Sequence, residues 1–170
     1  QKSGNTKEAL AYFLNTLKTR EQNGFTDEDN RALLINIGIA YQNLHKTETA
    51  KTYLQRAQKA STQPDQKAAI YDLIAMAYLT EDDVVQAKEF NTKSLAQAKI
   101  ANNKRLEAEG HLTASVIYEK MLVYDKALVE FKRYLDIKDS LDALDVSAQQ
   151  NLLQAEYTIE RTQGEIESLI

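Results

Sequence analysis

Small and apolar residues return at fixed intervals along this chain. A small residue is followed three positions later by tyrosine at Gly38…Tyr41, Ala75…Tyr78 and Ser115…Tyr118. Nine residues after each tyrosine stands an alanine, Ala50, Ala87 and Ala127. A fourth, Ala9, opens "ALAYF" with no such first half before it. Self-similarity at periods of 41, 37 and 40 residues between successive alanines marks an array of repeated units. Each unit reads as two helices: 28–44 with 47–61, 66–80 with 83–101, and 104–121 with 124–138. A half-repeat supplies a helix near 6–22.

The polar breaks agree with this division. "QNGFT" (22–26) joins a glycine stop to Thr26, with Asp29 three residues on as a capping box. "STQPD" (61–65) places Pro64 in a first helical turn, where its missing N–H costs nothing. "HKTE" (45–48) and "TEDD" (80–83) offer Thr47 and Thr80 as caps in tight helix–helix turns, and "ANN" (101–103) is a stop.

The small residues have a packing role. Two antiparallel helices joined by a short turn approach closely only where side chains are small. Gly38, Ala75 and Ser115 supply that point on the first helix, and Ala50, Ala87 and Ala127 on the second. Gly38 costs ~1 kcal/mol of helix propensity against alanine. Burying one neighbouring leucine or tyrosine returns ~1.5–3 kcal/mol, so packing wins. The tyrosines fill the space beside the small residues with their hydroxyls outward.

Composition supports helix throughout. The 170 residues include one proline, five glycines and no cysteine. The length suits one domain or one short repeat array. The absence of cysteine excludes disulfides and thiolate chemistry. A net charge of −4 without a long basic run leaves no electrostatic footprint for nucleic acid. The longest clean apolar stretch, "LIAMAYL" (73–79), falls far short of the ~20 residues that span a bilayer. The opening "QKSGNTKEALAYF" reads as the middle of a repeat, so the chain is expected to be part of a longer one.

These units resemble the tetratricopeptide repeat, whose pattern runs aromatic-x-x-Leu-Gly-x-x-Tyr, then Ala-x-x-x-aromatic. Leu34, Ile37, Gly38 and Tyr41 match its first half, as do Tyr71, Ile74, Ala75 and Tyr78. Ala9/Phe13 and Ala127/Phe131 match the second half, Ala50/Leu54 loosely, and Phe90 takes the aromatic role after Ala87. The resemblance covers residues 1–138. It implies an all-α fold: a right-handed α-α superhelix of helix hairpins, a solenoid with a long C-terminal helix.

Residues 131–170 resemble the segment that ends such arrays in a group of Bacteroidetes regulators. Tyr134, Lys138, Asp139, Ser140 and Leu141 carry the first part of that pattern, and Glu156, Tyr157, Glu165, Ile166 and Leu169 the second. The resemblance implies the long-period sensory region of a membrane-bound histidine kinase or transcriptional regulator. It also implies the periplasmic side of the membrane, with a cytoplasmic location as the alternative. Read without the family, Leu152, Ile159 and Ile166 fall on one heptad register, and Leu141, Ala148, Ala155, Thr162 and Leu169 on another. That pattern suits either a capping helix over 139–170 or a coiled-coil seam for self-association.

Reaction chemistry finds no candidates. His45 falls in a turn and His111 stands where the repeat normally has an aromatic; neither has a ligand partner at metal spacing. The acidic "TDED" (26–29) and "TEDD" (80–83) could hold calcium, but capping of helix starts accounts for them better. There is no glycine-rich phosphate loop and no Ser–His–Asp arrangement. No enzyme activity, cofactor or metal is expected.

The expected activity is binding of a protein or peptide on the inner face, which the first helix of each pair lines. The positions resembling ligand-facing slots are Ile35, Ile39, Gln42 and Asn43; then Asp72, Met76, Leu79 and Thr80; then Leu112, Val116, Glu119 and Lys120. The central row, Ile39, Met76 and Val116, is apolar. Chaperone-binding relatives hold Lys and Asn there to clamp a C-terminal carboxylate, and only Asn36 matches, which excludes that function. An apolar groove suits an amphipathic helix or extended peptide. The alternative is that neighbouring helices or the tail shield these residues.

Overall fold

The computed structural model of the protein describes residues 2–167 in backbone and 5–151 and 154 in side chain. Seven helices follow one another: α1 (Lys2–Gln22), α2 (Arg31–Asn43), α3 (Thr47–Lys59), α4 (Pro64–Thr80), α5 (Val84–Ile100), α6 (Lys104–Lys120) and α7 (Tyr124–Glu167). Among the described residues there is no strand. The fold is an all-α array of helix hairpins. The pairs α2/α3, α4/α5 and α6/α7 form the hairpins; α1 packs on α2, α3 on α4 and α5 on α6. The first helices of successive hairpins also touch, α2 with α4 and α4 with α6.

The hairpin turns share one geometry. The Tyr41 carbonyl accepts from Lys46 N at 2.9 Å, that of Tyr78 from Asp83 N at 3.0 Å, and that of Tyr118 from Val123 N at 2.9 Å. Between them, His45 (φ 56°), Asp82 (φ 62°) and Leu122 (φ 60°) stand in the left-handed region. This closure satisfies the orphan carbonyls of the first helix and starts the second at a set distance. Ala50 N then bonds Lys46 O at 3.0 Å, Ala87 N bonds Asp83 O at 3.0 Å, and Ala127 N bonds Val123 O at 3.1 Å. The nine-residue interval from tyrosine to alanine is therefore a property of the turn. The α5–α6 link repeats the closure, with Asn102 at φ 50° and Asn103 N bonded to Ala98 O at 3.0 Å.

This closure changes the expected caps. Thr47 is the first residue of α3, whose N-cap, Lys46, offers no side-chain bond. Thr80 ends α4 and donates to Ala77 O, and its hydroxyl lies 3.3 Å from that of Thr47. The caps in use are Asp83, which accepts from Gln86 N at 3.1 Å, and Asn103, which accepts from Leu106 N at 3.2 Å. Pro64 does open α4. Thr26 and Asp29 form reciprocal bonds, Thr26 N to Asp29 Oδ2 at 2.8 Å and Asp29 N back to Thr26 Oγ1 at 3.5 Å. They close a turn over 27–30, so α2 begins at Arg31 and not at 28.

The seats are as small as the pattern requires. A Cβ built on Gly38 would lie 2.7 Å from Leu54 Cγ and 3.4 Å from Ala50 O. Ala50, Ala75 and Ala87 are wholly buried and Ser115 nearly so, whereas Ala127, expected as the matching seat of the last hairpin, is only half-buried. Leu34, Ile37, Leu54, Ile70 and Ile74 form the main core with Leu10 and Leu17 of α1. Tyr41 stacks on Tyr53 at 5.6 Å between centroids, and Tyr78 on Phe90 at 5.5 Å, so Phe90 does serve as the aromatic. Past α4 the apolar core narrows to Leu79, Ala87 and Ile117. There the joint is polar: Asn91 Nδ2 donates to Gly110 O at 2.8 Å and Ser94 Oγ to Ala68 O at 2.8 Å.

The last hairpin departs from expectation. No break separates the helix expected over 124–138 from the tail expected at 139–170: α7 is one helix from Tyr124 to Glu167. At 1.5 Å per residue it is about 66 Å long against about 25 Å for α6, the only helix it packs on among the described residues. Lys104, at the start of α6, lines one hollow with Ser140, Leu141 and Leu144, which marks where the shared seat ends. The heptad positions Leu152, Ala155, Ile159, Thr162, Ile166 and Leu169, and the tail residues Glu156, Tyr157 and Glu165, lie outside the residues described in side chain.

Candidate functional site

Ile39, Met76 and Val116 occupy equivalent positions on three neighbouring helices. Each lies one residue past the small residue that seats its helix, hence about 100° round the axis from the hairpin contact. That rotation turns them out of the hairpin. Met76 is 48% exposed and Val116 and Leu112 are each 37% exposed, while Ile35 and Ile39 are half-buried. Asn43 and Glu119 are exposed on the same helices.

Two of the expected slots do other work. Leu79 is buried at 9% exposure among Ala87 and Ile117, so it belongs to the core. Gln42 Nε2 donates to Leu73 O at 2.9 Å and ties α2 to α4. Thr80 bonds its own helix, and Lys120 Nζ is held by Asp82 Oδ1 at 2.5 Å.

Asp72 is the least compensated group in this region. Its Oδ1 is buried with no hydrogen-bond partner. Burial pushes its carboxyl up to about 6 from the ordinary 3.8, against the pull of Thr113 and Asn91, with Glu109 adding repulsion. A carboxylate removed from water with neutral donors but no cation beside it is costly, which is why such groups are normally paired.

The structure also adds residues that the slot pattern misses. A cleft of about 370 Å³ runs between α1 and α2, lined by Asn5, Thr6, Ala9 and Phe13 on one side and Asn36, Ile39 and Asn43 on the other. The α1 half-repeat thus forms one wall of the groove at Ile39. Its signal in the sequence is Ala9/Phe13, readable only as core. Glu109 joins through the contact of α4 with α6, across a sequence distance that no local pattern reports.

His111 proves structural. It is buried, and its Nδ1 lies 2.6 Å from Glu130 Oε2, whose other oxygen accepts from Arg133 at 2.9 Å. This pair locks α6 to α7. His45 stands in its turn. Among the described residues no group of three His, Cys, Asp or Glu is placed to hold a metal, and no helix is long and apolar enough to cross a membrane.

No protein-family model and no curated protein matches the sequence. Solved structures do. BtubC (BKLC) from P. vanneervenii superposes with a TM-score of 0.71 at 19% identity, covering 82% of this chain and 59% of that one. MamA superposes with a TM-score of 0.60 at 18% identity, covering 80% of this chain and 70% of that one. The chain therefore spans little more than half the length of BtubC. At these identities the likeness shows the fold alone: the chain is an all-α helical-repeat array.

Proposed function

We propose that this chain is a non-catalytic interaction domain of tetratricopeptide type, the sensory region of a bacterial signal-transduction regulator. It takes a protein or peptide in the groove formed by α2, α4 and α6. The observation that carries the reading is the row of Ile39, Met76 and Val116, apolar side chains left accessible at the same position of three neighbouring helices. The resemblance of the sequence to long-period regulators supports the sensory role. A general scaffold without a signalling role uses the same groove. The parent gene beyond Ile170 separates the two, since a membrane-crossing helix followed by kinase or DNA-binding sequence belongs to the sensor.

The groove itself is tested with Met76→Glu. At 48% exposure this charge leaves the helix folded, as circular dichroism will show. A displayed peptide library panned on the wild type should enrich sequences that the variant does not retain. If the variant melts instead, Met76 is core; if it retains every enriched peptide, the groove is not the site.

A further inference from the structure

The groove carries charge in an arrangement that selects its occupant. Asp72 lies one turn before Met76 on α4. On α6, Glu109 lies one turn before Leu112 and two before Val116. Glu109, exposed on α6, repels Asp72 across the contact between α4 and α6, and Glu119 follows on the same helix. No ion pair among the described residues includes Asp72, Glu109 or Glu119. Lys120 is held by Asp82, and Arg105, one turn before Glu109 on α6, forms no ion pair with it. One oxygen of Asp72 is buried without a donor. An apolar row flanked by uncompensated carboxylates is complementary to cationic, apolar sequence and repels acidic sequence.

We propose that the groove takes a basic amphipathic peptide segment, its Lys or Arg seated between Asp72 and Glu109 and its apolar side chains on Met76, Leu112 and Val116. This rests on the groove reading above and names its ligand class. An ammonium or guanidinium supplies a donor to the one Asp72 oxygen that has none, and a charge-assisted bond is stronger than the neutral ones from Thr113 and Asn91. A divalent cation is the poorer occupant, because no third carboxylate or imidazole is placed to complete its shell.

The arrangement has a pH signature. Thr113 of α6 and Asn91 of α5 bond the Asp72 carboxyl and Glu109 of α6 repels it; none of the groups that act on it is cationic. The carboxyl is held protonated up to about 6, and a cationic ligand binds its ionised form. Affinity therefore rises between pH 5 and pH 7.5, and binding near pH 6 releases a proton.

The test uses the peptides selected on the full chain, measured by titration calorimetry in buffers of different ionisation heat. Enriched peptides should carry Lys or Arg beside apolar residues. Replacing that residue by Gln, or making Asp72→Asn, should weaken binding about ten-fold or more. Glu109→Gln should weaken it less, and circular dichroism verifies that both variants fold. Three results overturn the proposal while leaving the groove reading intact: Met76-dependent peptides that are neutral or acidic, basic peptides indifferent to Asp72→Asn, or an affinity flat with pH. Absence of any Met76-dependent peptide overturns both.

Discussion

Replacing Gly38 by alanine sets helix propensity against packing. Propensity favours the change by ~1 kcal/mol. Against it, the new Cβ would lie 2.7 Å from Leu54 Cγ and 2.8 Å from Leu54 Cδ2, where carbon contacts ordinarily settle at about 3.5–4.0 Å. Leu54 would have to retreat by roughly 1 Å. It is wholly buried, with Ile37, Ile70 and Ile74 in the same core, so there is nowhere to retreat. Such overpacking costs ~1–3 kcal/mol, which leaves a net loss of about 1 kcal/mol. A cycle with Leu54→Ala makes the prediction sharper. That change alone costs ~2–5 kcal/mol, and it removes the obstacle. Gly38→Ala added to it then stabilises, because propensity acts unopposed and the methyl occupies part of the cavity. Urea denaturation followed by far-UV circular dichroism gives the four stabilities, with unchanged m-values as the control. The reasoning predicts opposite signs in the two backgrounds and a coupling of about 2 kcal/mol. A gain of ~1 kcal/mol in both backgrounds refutes it, since Leu54 would then not close over Gly38.

Other changes test separate features. Leu122→Gly relieves a side chain held at φ 60° and 71% exposed; after the entropy glycine adds to the unfolded chain, a gain of about 0.5–1 kcal/mol in thermal melts is expected, and a loss would contradict the turn. For Asp72, the carboxyl is raised in the fold, so the unfolded chain ionises first and stability falls as pH rises from 3.8 to about 6. Asp72→Asn should therefore stabilise by up to about 3 kcal/mol at pH 7.5 and change little near pH 4, as paired urea melts will read; equal gains at both pH values would sink this account. Truncation after Val146 removes only helix beyond the seat on α6, so the melting midpoint of the array should hold, and a drop of several degrees would show a contact for the tail. Light scattering on the same pair reads self-association, which fails as an idea if both species are monomers.

The hairpins were legible because their seats repeat. Gly38 against Ala50 was readable from size alone, and Leu54 closes the gap where the repeat pattern puts an aromatic. The capping pattern was misread because threonine before an acidic residue looks like an N-cap, whereas the chain here closes through backbone bonds from the tyrosine carbonyls. That signal was present as the constant nine residues, which only a turn of set length produces. The continuity of α7 was missed, because the repeat period placed a boundary at 138, although neither glycine nor proline interrupts 124–163. Leu79 was placed in the groove by register, yet it stands beside Tyr78 at the end of α4, where the helix meets Ala87 and Ile117. The burial of Asp72 was not legible at all, because it depends on how α5 and α6 pack against α4 and on their offering it Asn91 and Thr113 but no cation.

The unbroken rod of α7 makes the last hairpin a lever. About 39 Å of it lies beyond residue 141, at 1.5 Å per residue. A tilt of roughly 10° where it rests on α6 would swing the backbone at Glu167 through about 7 Å, a displacement larger than one helical turn. The seat behind that fulcrum is clamped by the Glu130–His111 pair, so loosening one short bond is felt furthest from where it breaks.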